Sequence, residues 1–174
     1  MAKQKLLLVD GSSLAFRAFF SILDLNRFKN SNGLHTNALY SFHRMFKSIL
    51  DSEKPTHVLV AWDAGKTTFR TEMYADYKGG RSKTPGEFIE QMPYFNVLLD
   101  AWGIPHYRLN QYEADDIIGT LARKGEEAGY EVVVLSGDKD LIQLADNNIT
   151  VKITTKGVTE LVEYTPEVIF EKYG

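Results

Sequence analysis

Seven carboxylates are spaced along this chain in a way that could do chemistry together. Asp10 closes the apolar run "KLLLVD", and Asp63 follows "THVLVAW". Glu113, Asp115 and Asp116 crowd into "YEADDIIGT", and Asp138 and Asp140 lie in "LSGDKD". Close carboxylates repel one another, more so where burial removes water. A local explanation exists for single groups: an acid near a helix N-terminus caps free N–H groups and opposes the dipole. A turn Asp before Gly could account for Asp10 in the same way. Neither explanation covers four separate segments at once, whereas cations held among the acids would.

All-oxygen donors suit hard ions such as Mg²⁺ or Mn²⁺ rather than zinc. Two such ions can bind an attacking water and a leaving oxygen on either side of a phosphorus, with little help from a protein base. That matches a chain lacking any Ser/His/Asp or Cys/His set. The four histidines, His35, His43, His57 and His106, are scattered without ligand spacing and read as ordinary surface or half-buried residues. "DKDLIQLADNNI" is no EF-hand, since its required Gly and Glu are Gln143 and Ile149. "AGKTT" is no P-loop, because the first Gly of that motif would fall on Val60.

The elements that must position these acids alternate between the two periodicities. Strands are predicted over 5–10, 56–62, 105–109 and 131–136, and helices over 12–20, with Ser at the cap, 36–50 and 113–129. Residues 85–103 read as mostly helical with a kink or boundary at Pro93. A short helix is expected over 139–146. "ITVKIT" and "GVTELV" suggest a strand pair, and "TPEVIFEKYG" opens a last helix behind a Thr-Pro start. Strands alternating with helices predict an α/β fold with a mostly parallel central sheet flanked by helices. In such a sheet ligands bind beyond the carboxyl ends of the strands, which is where all seven acids map.

The 174 residues are expected to make one domain, or one domain with a trimmed tail, with an ordinary 44% of hydrophobic and 25% of charged residues. No apolar run reaches the length of a membrane span, and no signal-peptide cleavage pattern follows the start. The absence of cysteine excludes disulfides and thiolate chemistry and fits a reducing cytoplasm. A net charge of −3 argues weakly against nucleic acid, but a sum hides segregation. Residues 64–84 are too long for an ordinary connection. Lys66, Arg70, Lys78, Arg81 and Lys83 there oppose only Glu72 and Asp76, a local +3, with Phe69, Tyr74 and Tyr77 interleaved. Cations among aromatics suit a single-stranded backbone whose bases can stack.

"LLLVDGSSLAFRAFF", "HVLVAWDAGKTTFRTEMYADYKGGR", "YEADDIIGTLA" and "VVVLSGDKDLIQL" together resemble the 5′-nuclease, or flap endonuclease, domain of bacterial DNA polymerases, collinearly over essentially the whole chain. The resemblance implies a PIN-like core over 1–174 with a basic helical arch or loop at 64–84. It implies a metal-dependent 5′–3′ exonuclease and flap endonuclease that hydrolyses DNA phosphodiesters, as in RNA primer removal and excision repair. Asp10, Asp63, Glu113 and Asp115 would serve a first Mg²⁺, with Asp116 in support. Asp138 and Asp140 would face a second, Asp115 being shared and Mn²⁺ able to substitute. Lys78 and Arg81 match the catalytic arch cations and Tyr77 the adjacent aromatic, with Arg70 at the arch base. Lys66 and Lys83 are general phosphate contacts, and Arg17 faces either DNA or the protein itself. Partners would be DNA with a 5′ flap or single-strand/duplex junction, or an RNA primer on DNA. The protein would be a bacterial, cytoplasmic, nucleoid-associated monomer without membrane contact, followed by a polymerase domain. Family members continue past "EKYG" into an Asp-rich turn and a helix–hairpin–helix-like DNA-binding element, so this chain is expected to be cut short of both. The rival readings are a PIN-type ribonuclease, which normally lacks the long basic arch, and a non-catalytic DNA-binding module on the same fold.

Overall fold

In a computed structural model describing residues 4–22, 24–63, 85–109, 112–155 and 161–173, the first apolar run forms β1, Lys5–Asp10. Its side chains alternate between two cores, as the two-residue period of a strand requires. Leu7 and Val9 enter one apolar cluster and Leu8 the other. A strand buried on both faces belongs at the centre of a parallel sheet. There β1 lies between β2 (His57–Trp62) and β4 (Glu131–Ser136), parallel to both. The sheet order is β3-β2-β1-β4-β5-β6, where β3 is His106–Arg108, β5 Ile149–Thr154 and β6 Leu161–Tyr164. Among the described strands, only β6 runs antiparallel, paired with β5.

Helices cover both faces. On the first, α1 (Gly11–Ser21) buries Leu14, Ala15, Ala18 and Phe19. Beside it α2 (Asn37–Glu53) contributes Phe42, Phe46 and Ile49, an apolar stripe at helical spacing. Asn37 Nδ2 donates to the Phe19 and Ile22 carbonyls at 2.8 and 3.2 Å, closing the end of α1. On the second face α5 (Ala114–Glu127) packs Ile117, Ile118 and Ala122 against Leu8, Val132 and Val134. The C-terminal helix α6, Pro166–Tyr173, leans Val168 and Ile169 on the same cluster. Among the described residues, no helix is long and apolar enough to cross a membrane.

Three sequence expectations are refined. The segment 85–103 divides into α3 (Gly86–Ile89) and α4 (Met92–Trp102) at Gln91, ahead of Pro93. Pro93 sits in the first turn of α4, where its missing N–H removes no helical bond. Gln91 is fully buried, and its Oε1 accepts the Ala38 and Leu39 N–H groups at 3.0 and 3.2 Å, while Nε2 donates to Asn37 Oδ1. Residues Lys139–Leu144 form 3₁₀ rather than α turns. The first helix is capped by Asp10, whose Oδ1 accepts the Ser13 N–H at 3.2 Å, and not by Ser12. The Ser12 hydroxyl has a different partner.

Candidate active site

The sheet order places a topological switch at β1 and β4: from β1 the chain moves out through β2 and β3, then returns across the other face to β4. A crevice beyond the carboxyl ends of these strands is the binding position of such a sheet. Asp10 stands there, 3% exposed and held on both oxygens. Ser13 N–H reaches Oδ1, and Ser136 Oγ donates to Oδ2 at 2.8 Å. Burial pushes the Asp10 carboxyl up to about 6 against these hydrogen bonds, with the Asp63 charge adding to the rise.

Asp63 directly follows β2. Its N–H donates to Ser12 Oγ at 2.8 Å, and its Oδ1 accepts the Ala114 N–H at 2.6 Å, joining β2 to the first turn of α5. Burial raises this carboxyl too; Arg108 partly offsets the rise and Asp138 adds to it. Asp115 is the most perturbed acid, pushed up to about 8. Burial is the first cause, followed by repulsion from Asp10, Asp138, Asp63 and Glu113. Four segments distant in sequence therefore bring charges to one place. Their donors are all oxygen and their repulsion is large, a chemistry that fits a hard divalent cation. Among the described residues no three of them stand together as a ready-made metal cage.

Asp116, Asp138 and Asp140 also make or neighbour local bonds. Asp116 turns to the helix start, where its Oδ2 accepts the Glu113 N–H at 3.1 Å as a cap. Asp138 Oδ1 accepts the Asp140 N–H at 2.9 Å, and Asp140 itself is exposed. Arg17, half-buried on α1, donates from Nε to Gly137 O and from Nη1 to Thr155 O, each at 3.1 Å. A Cβ on Gly137 would come within 2.6 Å of that Nε, so a side chain there would displace Arg17. Lys66, Arg70, Tyr77, Lys78, Arg81 and Lys83, with the whole 64–84 segment, lie outside the described residues.

Sequence reasoning missed the serines. Ser136 is fully buried; besides its bond to Asp10 it accepts the Asp138 N–H at 2.9 Å. Ser13 Oγ accepts the Gly137 N–H at 2.9 Å and lies 3.2 Å from Ser136 Oγ. These hydroxyls bind the β1 and β4 ends into one rigid edge and orient Asp10. The available signal was serine within three residues of an acid in both "DGSS" and "LSGD", which also reads as ordinary turn chemistry.

Comparison with known proteins follows the same pattern. A family model described as 5′-3′ exonuclease, N-terminal resolvase-like domain, matches residues 5–174. The DNA polymerase I of Streptococcus pneumoniae is 59% identical over 175 residues, covering 100% of this chain and 20% of that protein. The DNA polymerase I of Bacillus subtilis is 58% identical over 172 residues, covering 99% and 19%. The chain thus spans about a fifth of the length of the curated relatives it matches. Among solved structures, a bacteriophage T5 5′-exonuclease with divalent zinc ions bound aligns with a TM-score of 0.64 and 23% identity, over 97% of this chain and 60% of that one. A T5 flap endonuclease pseudo-enzyme-product complex with DNA and metal ions aligns at 0.65 and 22%, over 98% and 61%. At that identity the two structures establish the fold, a mostly parallel sheet flanked by helices. With its near-complete match to the family model, the chain belongs to the 5′-3′ exonuclease family, as its N-terminal resolvase-like domain.

Proposed function

We propose that this domain hydrolyses DNA phosphodiesters at the junction of a 5′ single strand with duplex, leaving a 5′-phosphate and a 3′-hydroxyl. The observation that carries the reading is the convergence of Asp10, Asp63, Asp115 and Asp138 from separate strand ends on one crevice. So much like charge, buried at Asp10 and partly buried at Asp63, Asp115 and Asp138, is expensive unless cations are bound. Asp10, Asp63, Glu113 and Asp115 would hold one ion and Asp138 and Asp140 a second, with Asp116 behind the first group. Mg²⁺ or Mn²⁺ there would supply charge to stabilise both the attacking and the leaving oxygens of an in-line displacement. The protein's own part is positioning. Ser13 and Ser136 fix the Asp10 carboxylate, and Ser12 and the Ala114 N–H fix the backbone and side chain of Asp63.

Lys78 and Arg81, from the basic segment, would draw in the scissile phosphate and stabilise its developing charge. Lys66, Arg70, Tyr77 and Lys83 would track the flap. DNA as substrate is supported by relatives that are DNA polymerase I and by the fold of a flap endonuclease complexed with DNA. Primer removal and excision repair are the roles such a cut would serve. The test is single-turnover cleavage of a 5′-flap DNA against single-stranded RNA, in Mg²⁺, Mn²⁺ and chelator. Flap DNA should be cut only with metal, and Lys78→Ala should lower turnover by roughly 10²-fold, the scale of one transition-state donor. Preferential cleavage of the RNA would move the domain to a ribonuclease role.

A further inference from the structure

Beside the acidic crevice, on the α5 face of the sheet edge, lies a mostly apolar groove of about 490 Å³. Its deeper wall is the buried Ile117 with the half-buried Leu59 and Leu121, and its rim is Tyr107 and Tyr112. These tyrosines are 49% and 50% exposed, large apolar rings left in water where a helix and a sheet could have buried them. The groove is built into the fold: Tyr107 of the edge strand β3 lines it together with Ile117, Thr120 and Leu121 of α5, and Tyr112 N–H donates to Leu109 O at 3.1 Å. Among the described residues, the carboxylate in its lining is Asp116.

We infer that this groove holds an unpaired base of the substrate strand, stacked on Tyr112 and Tyr107, one or two nucleotides from the phosphate being cut. The inference rests on the nuclease reading above. Continuity with the crevice supports it. Arg108, between Tyr107 and Leu109, acts on the Asp63 charge, and Glu113, next to Tyr112, acts on Asp115, so groove and crevice share a border. Successive bases along a strand are about 3.4 Å apart when stacked, so a strand whose phosphate sits among the carboxylates reaches the rim within a nucleotide or two. The chemistry agrees. The groove presents aromatic faces and aliphatic walls, which suit the flat surface of a base, and among the described residues no cation lines it to compete for phosphate. The Thr120 hydroxyl, which donates to Asp116 O at 3.0 Å, marks the polar end of the groove. The volume lies within the range of small-ligand pockets.

The experiment uses the full chain with Ca²⁺ in place of Mg²⁺, and 5′-flap DNA in which an abasic site is moved along the single strand. One abasic position near the junction should weaken binding about tenfold, the scale of one lost stack, with neighbouring positions neutral. A 2-aminopurine at that position should be quenched on binding. In Tyr107→Leu/Tyr112→Leu the abasic penalty and the quenching should both disappear, and Tyr107→Phe/Tyr112→Phe should restore them. Equal affinity for intact and abasic strands overturns the inference and leaves the groove to an extended apolar peptide. Failure of the unmodified chain to bind any DNA strand overturns instead the nuclease reading beneath it.

Discussion

Two adjacent aspartates in the first turn of α5 have opposite effects. Asp115 faces Asp10, Asp63 and Asp138 and is pushed up to about 8 by burial and their charge. Asp116 accepts the Glu113 N–H and serves the helix start. Removing the first should relieve repulsion; removing the second should cost a cap, about 1 kcal/mol. In the absence of divalent ions, Asp115→Asn is therefore expected to raise the melting temperature and Asp116→Ala to lower it. Each kcal/mol corresponds to roughly 2–4 °C for a chain of this size. Shifts of the same sign in thermal melting would show that the two carboxylates do not have these separate roles.

Among elements, the end of α2 is tied to the sheet by one carboxylate. Glu53 accepts from Lys5 of β1 at 2.9 Å and from Lys152 of β5, with its side chain 8% exposed. Burial would raise this carboxyl, but the hydrogen bonds and charges of the two lysines outweigh it and hold Glu53 below its ordinary range. Lys5 is raised by the same bond. The signs follow from proton linkage. The folded chain binds the Glu53 proton more weakly than the unfolded chain, so this stabilisation is complete above the ordinary glutamate range. It is lost as pH falls through the depressed folded value. The Lys5 share is complete below the ordinary lysine value and lost as pH rises through the raised one. Glu53→Gln should cost about 1.5–3 kcal/mol near neutrality, the worth of hydrogen bonds to charged groups. Urea unfolding should show the gap to the parent closing in acid; a gap that is constant with pH would mean that packing, not charge, ties α2 down.

At the scale of the molecule, charge is segregated although the sum is only −3. Carboxylates gather at one edge of the sheet, and the 64–84 segment carries +3. A fold that accumulates repulsion at one place should gain stability when cations occupy it. At an ion concentration 100-fold above its Kd the gain is about 2.7 kcal/mol, a rise of roughly 5–10 °C. Mg²⁺ and Mn²⁺ should each raise the melting temperature relative to chelator, and Asp10→Asn should abolish most of that rise. No shift at millimolar ion would remove the metal reading altogether.

The sequence by itself determined the elements and the edge at which chemistry could occur. Strand and helix periods are local, so β1, β2 and β4 and the helices between them could be read from apolar spacing. A parallel sheet then sends every strand-end acid to one side. Tertiary structure alone decided which acids meet. Asp115 and Asp116 are one residue apart, and only the packing of Ile117, Ile118 and Ala122 sets which of them turns toward Asp10. The Ser136–Asp10 bond joins residues 126 positions apart, and Gln91 breaks a helix in order to bond Asn37, Ala38 and Leu39 on another. Such contacts leave no periodic trace, because a hydrogen bond depends on the distance and direction between two atoms that only the folded chain brings together.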